Sequence, residues 1–255
     1  MQLHPTAIAA GASVIAHEVV GSTNTEALAL ARCGERGPLW ITAERQTAGR
    51  GRRGNLWVSQ QGNLHATLLL RSVPPARAGQ LAFVAALAVH DALLGMAPQA
   101  APRLTFKWPN DLLVDHKKFC GILVEMEQDA AVIGIGVNCA YHPHDTVFPA
   151  TDLRCAGLSI AAAELFQMLS KTMLDRLRQW DNGAGFAALR ADWLAHARGV
   201  GQEIRVRLPT EELHGCFETL DETGRLLLRL SDGRVQAISA GEVFALASAQ
   251  TAAVR

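Results

Sequence analysis

Residues 49–54 form the segment whose residue types best suggest chemistry, Gly-Arg-Gly-Arg-Arg-Gly. Glycine lets a backbone adopt positive φ and approach a ligand closely, and arginine binds carboxylate or phosphate oxygens in bidentate fashion. The glycines also match the dinucleotide pattern G-x-G-x-x-G, but that pattern needs a helix directly after it, and Leu56–Ser59 is strand-like. The P-loop ending Gly-Lys-Ser/Thr is missing too. The segment therefore predicts a loop for an anionic ligand, although on its own it could be an ordinary turn with solvated arginines.

Four further segments carry polar residues or glycines where a strand or helix begins or ends. Taken singly, each has a purely structural explanation: a turn, an exposed hairpin lysine, bulges in a strand, or a helix cap. Their occurrence together in one chain and in this order is much more specific. The segments are Ser22-Thr23-Asn24, Lys107-Trp108-Pro109-Asn110-Asp111, Lys118 to Glu125 with Gly121 inside it, and Gly134-x-Gly136-x-Asn138.

This combination resembles the biotin protein ligases, whose hallmarks appear as residues 49–54, 107–111 and 118–125, followed by 134–138. The resemblance extends from about Gly21 to a closing motif at residues 240–243. It implies an α+β fold: a mixed sheet with helices, related to the catalytic core of class II aminoacyl-tRNA synthetases, followed by a small SH3-like β-barrel.

The resemblance also implies a reaction in two steps. Biotin and ATP, with Mg²⁺, would give biotinyl-5′-AMP and pyrophosphate. The ε-amine of a specific lysine on a biotin carboxyl carrier protein, part of a biotin-dependent carboxylase, would then attack the activated carbonyl. Cationic side chains suit such a site, because they offset the repulsion between a carboxylate and an α-phosphate.

Roles carried over from the family fall on fourteen residues. The resemblance implies catalytic roles for Lys118, Arg52 and Asp111, with Asp111 also as a metal ligand. It implies biotin contacts for Ser22, Thr23, Asn24, Gln46, Arg50, Gly51, Arg52, Lys118 and Gly121. It implies ATP contacts for Arg50, Arg52, Lys107, Trp108, Asn110, Asp111 and Asn138. Two positions depart from the family pattern, Asn55 after the arginine loop and His65 after Asn-Leu.

The hydrophobic pattern predicts two domains. Within residues 1–199 it predicts a helix near 24–32 behind a capping box at Thr23–Glu26, a long buried helix at 81–94, and helices near 159–180 and 184–197. Strands are predicted at 39–44, 65–70, 104–108, 112–115, 119–126 and 132–137. Residues 200–255 hold short alternating strands at 204–208, 216–220, 226–230 and 235–238, which predicts a small β-barrel docked on the catalytic domain.

Composition narrows the classes of partner. The 24 basic and 24 acidic residues give a net charge of 0, so no overall field favours nucleic acid or membrane. Five cysteines without a C-x-x-C pair suit a reducing cytoplasm. The apolar stretch at Thr6–Ala16 lacks a basic flank and is too short for a membrane span. His142-x-His144 could bind a metal, but no partner cluster is evident, and a surface turn around Pro143 is predicted instead.

Three alternative functions share parts of this pattern. A lipoate or octanoate ligase would use the same adenylation chemistry, but the arginine loop with residues 107–111 favours biotin. A biotin-sensing repressor would need a DNA-reading module, and about 20 residues before Ser22 are too few for one. A non-catalytic biotin binder would not need Lys118 and three loop arginines. We therefore expect no nucleic-acid or membrane partner, and leave a homodimer open.

Overall fold

The computed structural model describes residues 1–245; residues 246–255 of the predicted barrel domain lie outside this range. It has the predicted α+β class. The helices are α1 Pro5–Ala9, α2 Thr23–Arg32, α3 Leu81–Met96, α4 Ala162–Trp180 and α5 Phe186–Ala195. The strands are β1 Ser13–Val20, β2 Leu39–Gln46, β3 Leu64–Leu70, β4 Leu104–Lys107, β5 Asp111–Val114, β6 Lys117–Glu127, β7 Ala130–Val137, β8 Glu203–Arg207, β9 Glu212–Leu220, β10 Leu226–Arg229, β11 Val235–Ile238 and β12 Glu242–Ala245.

A seven-stranded mixed sheet in the order β1-β2-β3-β7-β6-β5-β4 forms the frame of the larger domain. Side chains of a strand alternate between the two faces of a sheet. Leu64, Ala66 and Leu68 of β3 accordingly join the main core under α3 and α4, whereas Leu69 packs in a second cluster with α2. Of the five helices within residues 1–245, α2 packs on the opposite face, and this is the face that carries the candidate site.

Helix α3 is the central core helix, as its alanine- and leucine-rich sequence predicts. Pro75–Met96, which contains it, is long and apolar enough to cross a membrane by composition. However, 67% of the most apolar stretch of this segment is buried inside the protein. The buried residues of α3 belong to the main core together with residues of α4 and the sheet. Burial inside the protein therefore accounts for the apolar composition of this helix.

The C-terminal strands form a second, antiparallel sheet in the order β11-β10-β9-β8-β12, as expected for a small barrel-like domain. This sheet docks on the first domain through the turn before β10. The indole Nε1 of Trp108 donates to the carbonyl of Gly224 at 3.0 Å. Gly224 has φ of +88°, and a β-carbon there would lie 2.7 Å from the ring of Phe83. A glycine is therefore required where the two domains meet.

The start of α2 differs from the predicted capping box, which is wrong. Ser22 is the N-cap and its side chain makes no capping hydrogen bond, while Thr23 is already helical. The Thr23 hydroxyl is turned towards Gln46 on β2 instead of towards its own helix. Two strands were also absent from the sequence-based prediction. They are β1 at one edge of the large sheet and β12 at one edge of the small sheet.

Candidate active site

A buried polar pocket lies at the N-terminus of α2. The backbone N–H and the hydroxyl of Thr23 both donate to Gln46 Oε1, at 2.8 and 3.0 Å. Gln46 in turn donates to the Ser59 hydroxyl at 2.8 Å. Ser22, Thr23, Asn24 and Ser59 are all buried. The structure therefore brings four of the predicted biotin contacts together, and adds Ser59, which the sequence did not single out.

The floor of this pocket is formed by the middle of the sheet. The Thr67 hydroxyl of β3 lies 2.8 Å from Thr23 Oγ1 and 2.7 Å from Asn24 Oδ1. Asn24 Nδ2 donates to Glu125 Oε2 of β6 at 2.8 Å. A side chain at Gly134 of β7 would collide with Asn24. Gly134 sits in regular register opposite Thr67, so it provides room for a polar network and does not mark a bulge.

The arginine loop lies over this pocket and is held by two of its three arginines. Arg50 donates from both terminal nitrogens to the two carboxylate oxygens of Glu125, each at 3.1 Å. Arg52 Nη1 donates to Asn110 Oδ1 at 3.3 Å. Burial, and next the neighbouring Arg53, lower the pKa of Arg52, yet a guanidinium stays charged in proteins. Arg52 thus faces the cleft as a partly desolvated cation beside Asn110.

Two lysines share one carboxylate beside the loop. Asp111 Oδ1 lies 2.6 Å from Lys118 Nζ, and Oδ2 lies 3.5 Å from Lys107 Nζ. Burial opposes ionisation, but Lys118 and then Lys107 lower the pKa of Asp111 below its ordinary value. Burial also lowers the pKa of Lys107, opposed in part by Asp111. This triad carries a net positive charge and lines the cleft with Arg52.

Trp57 separates the polar pocket from a larger cleft, a position that no sequence pattern indicated. Its ring lies on Gly136 and Gly121, where β-carbons would be 2.5 and 3.0 Å from it. Its Nε1 is buried with no hydrogen-bond partner among the described residues. The polar pocket on one side has a volume of about 30 Å³, whereas the cleft on the other has about 510 Å³. The smaller volume suits one or two water molecules.

The larger cleft has four walls. They are the arginine loop with Trp57, residues 107–111 with Lys118 and Gly121, residues 143–150 after β7, and Glu242 with Phe244 from the C-terminal sheet. The last two walls were absent from the sequence-based prediction of the site. Loop 143–150 lacks a recognisable motif, and the contribution of β12 depends on how the two domains dock.

Three predicted ATP contacts also have hydrogen-bond partners within the protein. The Asn138 amide donates to the carbonyl of Thr151 at 3.1 Å, which ties the end of β7 to the following loop. Trp108 is buried and bonded to Gly224. Both line the cleft, but their polar side-chain donors are engaged within the protein. The Asn110 side chain is also engaged: its amide nitrogen donates to the Ile122 carbonyl at 2.5 Å, and its Oδ1 accepts from Arg52.

Asp111 is poorly arranged as a ligand for Mg²⁺. This cation is usually held by one or two carboxylates together with phosphate oxygens and waters. Both carboxylate oxygens of Asp111 already lie against ammonium groups. A metal ion there would have to displace a lysine and would stand beside two positive charges. The geometry instead suits Asp111 to fixing the positions of Lys118 and Lys107.

Comparisons with known proteins agree on one family. Residues 17–138 match the model of the biotin/lipoate A/B protein ligase family, and residues 199–246 match that of the biotin protein ligase C-terminal domain. A biotin–[acetyl-CoA-carboxylase] ligase of Paracoccus denitrificans is 43% identical over 88% of this chain and 96% of its own length. A bifunctional ligase/repressor of Bacillus subtilis is 34% identical over 88% of this chain and 71% of its own length.

Solved structures agree with these sequence matches. A biotin protein ligase from Aquifex aeolicus in complex with biotin and ATP superposes with a TM-score of 0.78 at 27% identity, covering 91% of this chain and 97% of that one. A biotin protein ligase from Leishmania major in complex with biotinyl-5-AMP superposes with a TM-score of 0.65 at 25% identity, covering 89% and 99%. The similarity therefore extends over both domains.

Proposed function

The chain belongs to the biotin protein ligase family, and we propose that its cleft converts biotin and ATP into biotinyl-5′-AMP and transfers the biotinyl group to a lysine of a biotin carboxyl carrier protein. The first family model covers both biotin and lipoate ligases. The C-terminal match is to biotin ligases alone, and the Paracoccus relative and both solved structures named above are biotin ligases. No observation favours lipoate ligation or a non-catalytic repressor for this chain.

One arrangement carries the proposal: a polar pocket adjoins a cleft that holds Lys118 and Arg52, with Trp57 at the boundary. In this scheme Thr23, Asn24 and Gln46 bind the polar ureido end of biotin. The carboxylate at the other end then reaches Lys118, past Gly121, where a side chain would crowd the Lys118 chain. Trp57 moves off Gly136 to admit the ligand, since the polar pocket is too small for a fused ring.

The first chemical step joins two anions. A carboxylate oxygen of biotin attacks the α-phosphorus of ATP, and the bond to pyrophosphate breaks. ATP brings Mg²⁺ on its phosphates, which neutralises part of their charge. Lys118 and Arg52 offset the remaining repulsion and stabilise charge at phosphorus. Asp111 acts as a positioning residue, because its two oxygens hold Lys118 and Lys107 in place.

The second step needs a neutral amine. A lysine ε-amine has a reference pKa of about 10.4 and must lose a proton before it attacks the carbonyl, with AMP as the leaving group. The lowered pKa of Asp111 makes it a weak base. We therefore assign proton removal to solvent at the open side of the cleft, and keep Asp111 for positioning.

We also propose the setting in which the enzyme works. All five cysteines are free in the structure, which suits the reducing cytoplasm. The net charge of 0 gives no general attraction to duplex DNA, so carrier protein and small substrates are the proposed partners. The exposed edge strand β1 is compatible with a homodimer.

The test is a substrate comparison. The protein is incubated with MgATP and biotin, lipoate or octanoate in parallel, and the adenylates are identified by mass spectrometry. A carboxyl carrier domain is then added and its mass followed. Biotin should give the adenylate and an increase of one biotinyl group on the carrier. Equal or better turnover with lipoate would contradict the proposed substrate.

A further inference from the structure

Three side chains with metal-binding atoms meet near the loop that joins β7 to α4. His142 lies near the start of this loop, and Asp152 and Cys155 lie near its middle. None of the three lines the cleft, although the residues between them, 143–150, form one of its walls. The sequence offered only His142-x-His144, and the partners that this pair lacked are brought in by the fold.

The cluster is compact. His142 Nδ1 lies 2.7 Å from Asp152 Oδ2, and Asp152 Oδ1 accepts the N–H of Cys155 at 2.7 Å. The His142 nitrogen, the carboxylate oxygen and the Cys155 sulfur all lie within 4.8 Å of one another. Asp152 has only 2% of its surface exposed. A buried carboxylate thus anchors an imidazole and a thiol that are both reachable from solvent.

We propose that His142, Asp152 and Cys155 form a binding site for one divalent cation of the zinc class. Zinc takes nitrogen, oxygen and sulfur ligands together, at about 2.0 to 2.3 Å in a tetrahedral arrangement. Those bond lengths place neighbouring ligand atoms roughly 3.3 to 3.6 Å apart. The present spacings, with one pair at 2.7 Å and the whole set within 4.8 Å, reach this geometry through shifts of about 1 Å.

The fourth position of the tetrahedron is left for water or for a nearby imidazole. The ring of His144 lies with its centroid 5.0 Å from that of His142 and is exposed. The neighbouring cation Arg154 is directed elsewhere, since its guanidinium donates to the Ala140 carbonyl at 2.6 Å. The mixed thiolate, imidazole and carboxylate set excludes Mg²⁺ and Ca²⁺, which prefer oxygen ligands only.

Cys155 must lose its thiol proton to bind the metal, because the thiolate is the ligand form of cysteine. A bound cation replaces that proton: the S–H bond breaks, the S–metal bond forms, and the proton passes to solvent.

Metal binding would fix both ends of the wall formed by residues 143–150. The far side of this wall is attached to Lys118, whose N–H donates to Pro149 at 2.8 Å and whose carbonyl accepts from Thr151 at 2.9 Å. Linking residue 142 to residues 152 and 155 closes a short loop beside a catalytic lysine. The proposed ion is therefore structural and makes no contact with the reacting atoms.

The experiment uses reduced, chelator-treated protein, with Co²⁺ and Zn²⁺ as probes. Co²⁺ should produce a thiolate-to-cobalt charge-transfer band at one equivalent, and Zn²⁺ should abolish it by displacement. Zn²⁺ should also slow alkylation of Cys155 by iodoacetamide at least about tenfold, measured by peptide mass spectrometry. Cys33, which is exposed and remote in sequence, is the internal control in the same sample and should react at an unchanged rate.

Variants separate this site from adventitious binding. Cys155→Ser should lose the cobalt band, and His142→Gln should weaken Zn²⁺ binding at least 10- to 100-fold, whereas Cys33→Ser should change neither. A cobalt–thiolate band that persists in Cys155→Ser would overturn the proposal. So would equal alkylation of Cys155 with and without Zn²⁺, a measurement on the unmutated protein that does not depend on any variant folding.

Discussion

Asp111 is shared by two lysines, and this pairing decides how Lys118 should respond to mutation. One carboxylate against two ammonium groups leaves one positive charge unneutralised at the wall of the cleft. Such a charge is valuable only when an anion arrives or builds up charge in the transition state. Lys118 is therefore expected to matter more to the rate of adenylate formation than to substrate binding.

Lys118→Ala should reduce the rate of biotinyl-adenylate formation on the order of 10²- to 10³-fold, the usual cost of removing one electrostatic donor. Transfer from supplied adenylate should suffer less, because the α-phosphate is by then part of a leaving group. Single-turnover mass spectrometry measures both steps. Lys117→Ala, an exposed neighbour on the same hairpin, is the matched control. An unaltered adenylation rate in Lys118→Ala would contradict a catalytic role for Lys118.

Thr67 is the second residue whose contacts make a direct prediction. Its hydroxyl lies within hydrogen-bond distance of both Thr23 and Asn24. Thr67→Val keeps the shape and removes that hydroxyl, which costs about 1 to 1.5 kcal/mol for a buried hydrogen bond. The KM for biotin should rise about five- to tenfold, while the KM for ATP stays the same. Steady-state kinetics with each substrate varied in turn tests this, and equal changes in both would contradict it.

At the scale of elements, strand β7 has two glycines at positions where side chains from other elements pack against it. Gly134 leaves room for Asn24, and Gly136 leaves room for Trp57. A methyl group added to β7 would therefore disturb the site from beneath, at the Asn24 hydrogen bonds from position 134 and at the Trp57 ring from position 136.

Gly136→Ala should displace Trp57, since the new carbon would lie 2.5 Å from its ring. The methyl group would also stand in the groove that biotin enters once the indole has moved off Gly136, so biotin activation should fall at least tenfold. The half-buried indole should become more accessible to a fluorescence quencher. Gly95→Ala is the matched control: it lies in α3 with its nearest neighbour 4.0 Å away, and it should stabilise the helix by up to about 1 kcal/mol. Normal activity in Gly136→Ala would show that biotin does not use the space over Gly136.

The elements also show how far sequence patterns reach. The buried helix α3, the hairpin of β5 and β6, and strand β7 were predicted because their periodicity and turn residues are local signals. Strand β1 was missed because its exposed and half-buried residues do not alternate cleanly. The predicted capping box failed because the Thr23 hydroxyl found a partner on β2, a contact that helix chemistry alone does not indicate.

The same distinction applies to the candidate site. The arginine loop, residues 107–111 and Lys118 could be singled out from the sequence because each is a short motif, and the structure brings them to one cleft. Thr67, Trp57 and Glu125 were missed because their roles depend on sheet register and on which residues face α2. Glu242 and Phe244 were missed for a larger-scale reason, since they reach the cleft only through the docking of two domains.

For the whole molecule, the smaller domain lines the part of the cleft that we propose for ATP. The Phe244 ring lies 5.8 Å from Lys107 Nζ and about 5 Å from the guanidinium groups of Arg205 and Arg207. It also lines the cleft beside Glu242. The C-terminal sheet therefore completes the site, in addition to packing against the first domain.

Phe244→Ala should raise the KM for ATP about three- to tenfold through the loss of cation–π contacts, with little change in the KM for biotin. Val235→Ala, at an exposed position on strand β11 of the same sheet, should leave both constants unchanged. Substrate-resolved kinetics together with a thermal melt separates a local effect from unfolding of the small domain. A larger effect on biotin than on ATP would contradict the assigned side of the cleft.

The position of Trp57 has a consequence for the speed of ligand capture. Its ring occupies the groove over Gly136 and Gly121, and in this form the free protein does not accept the bicyclic end of biotin. Biotin then binds only to the fraction of molecules whose indole has swung out, and the apparent affinity is reduced by that fraction. At high biotin concentration the observed association rate reaches a ceiling set by the indole movement and no longer by diffusional encounter.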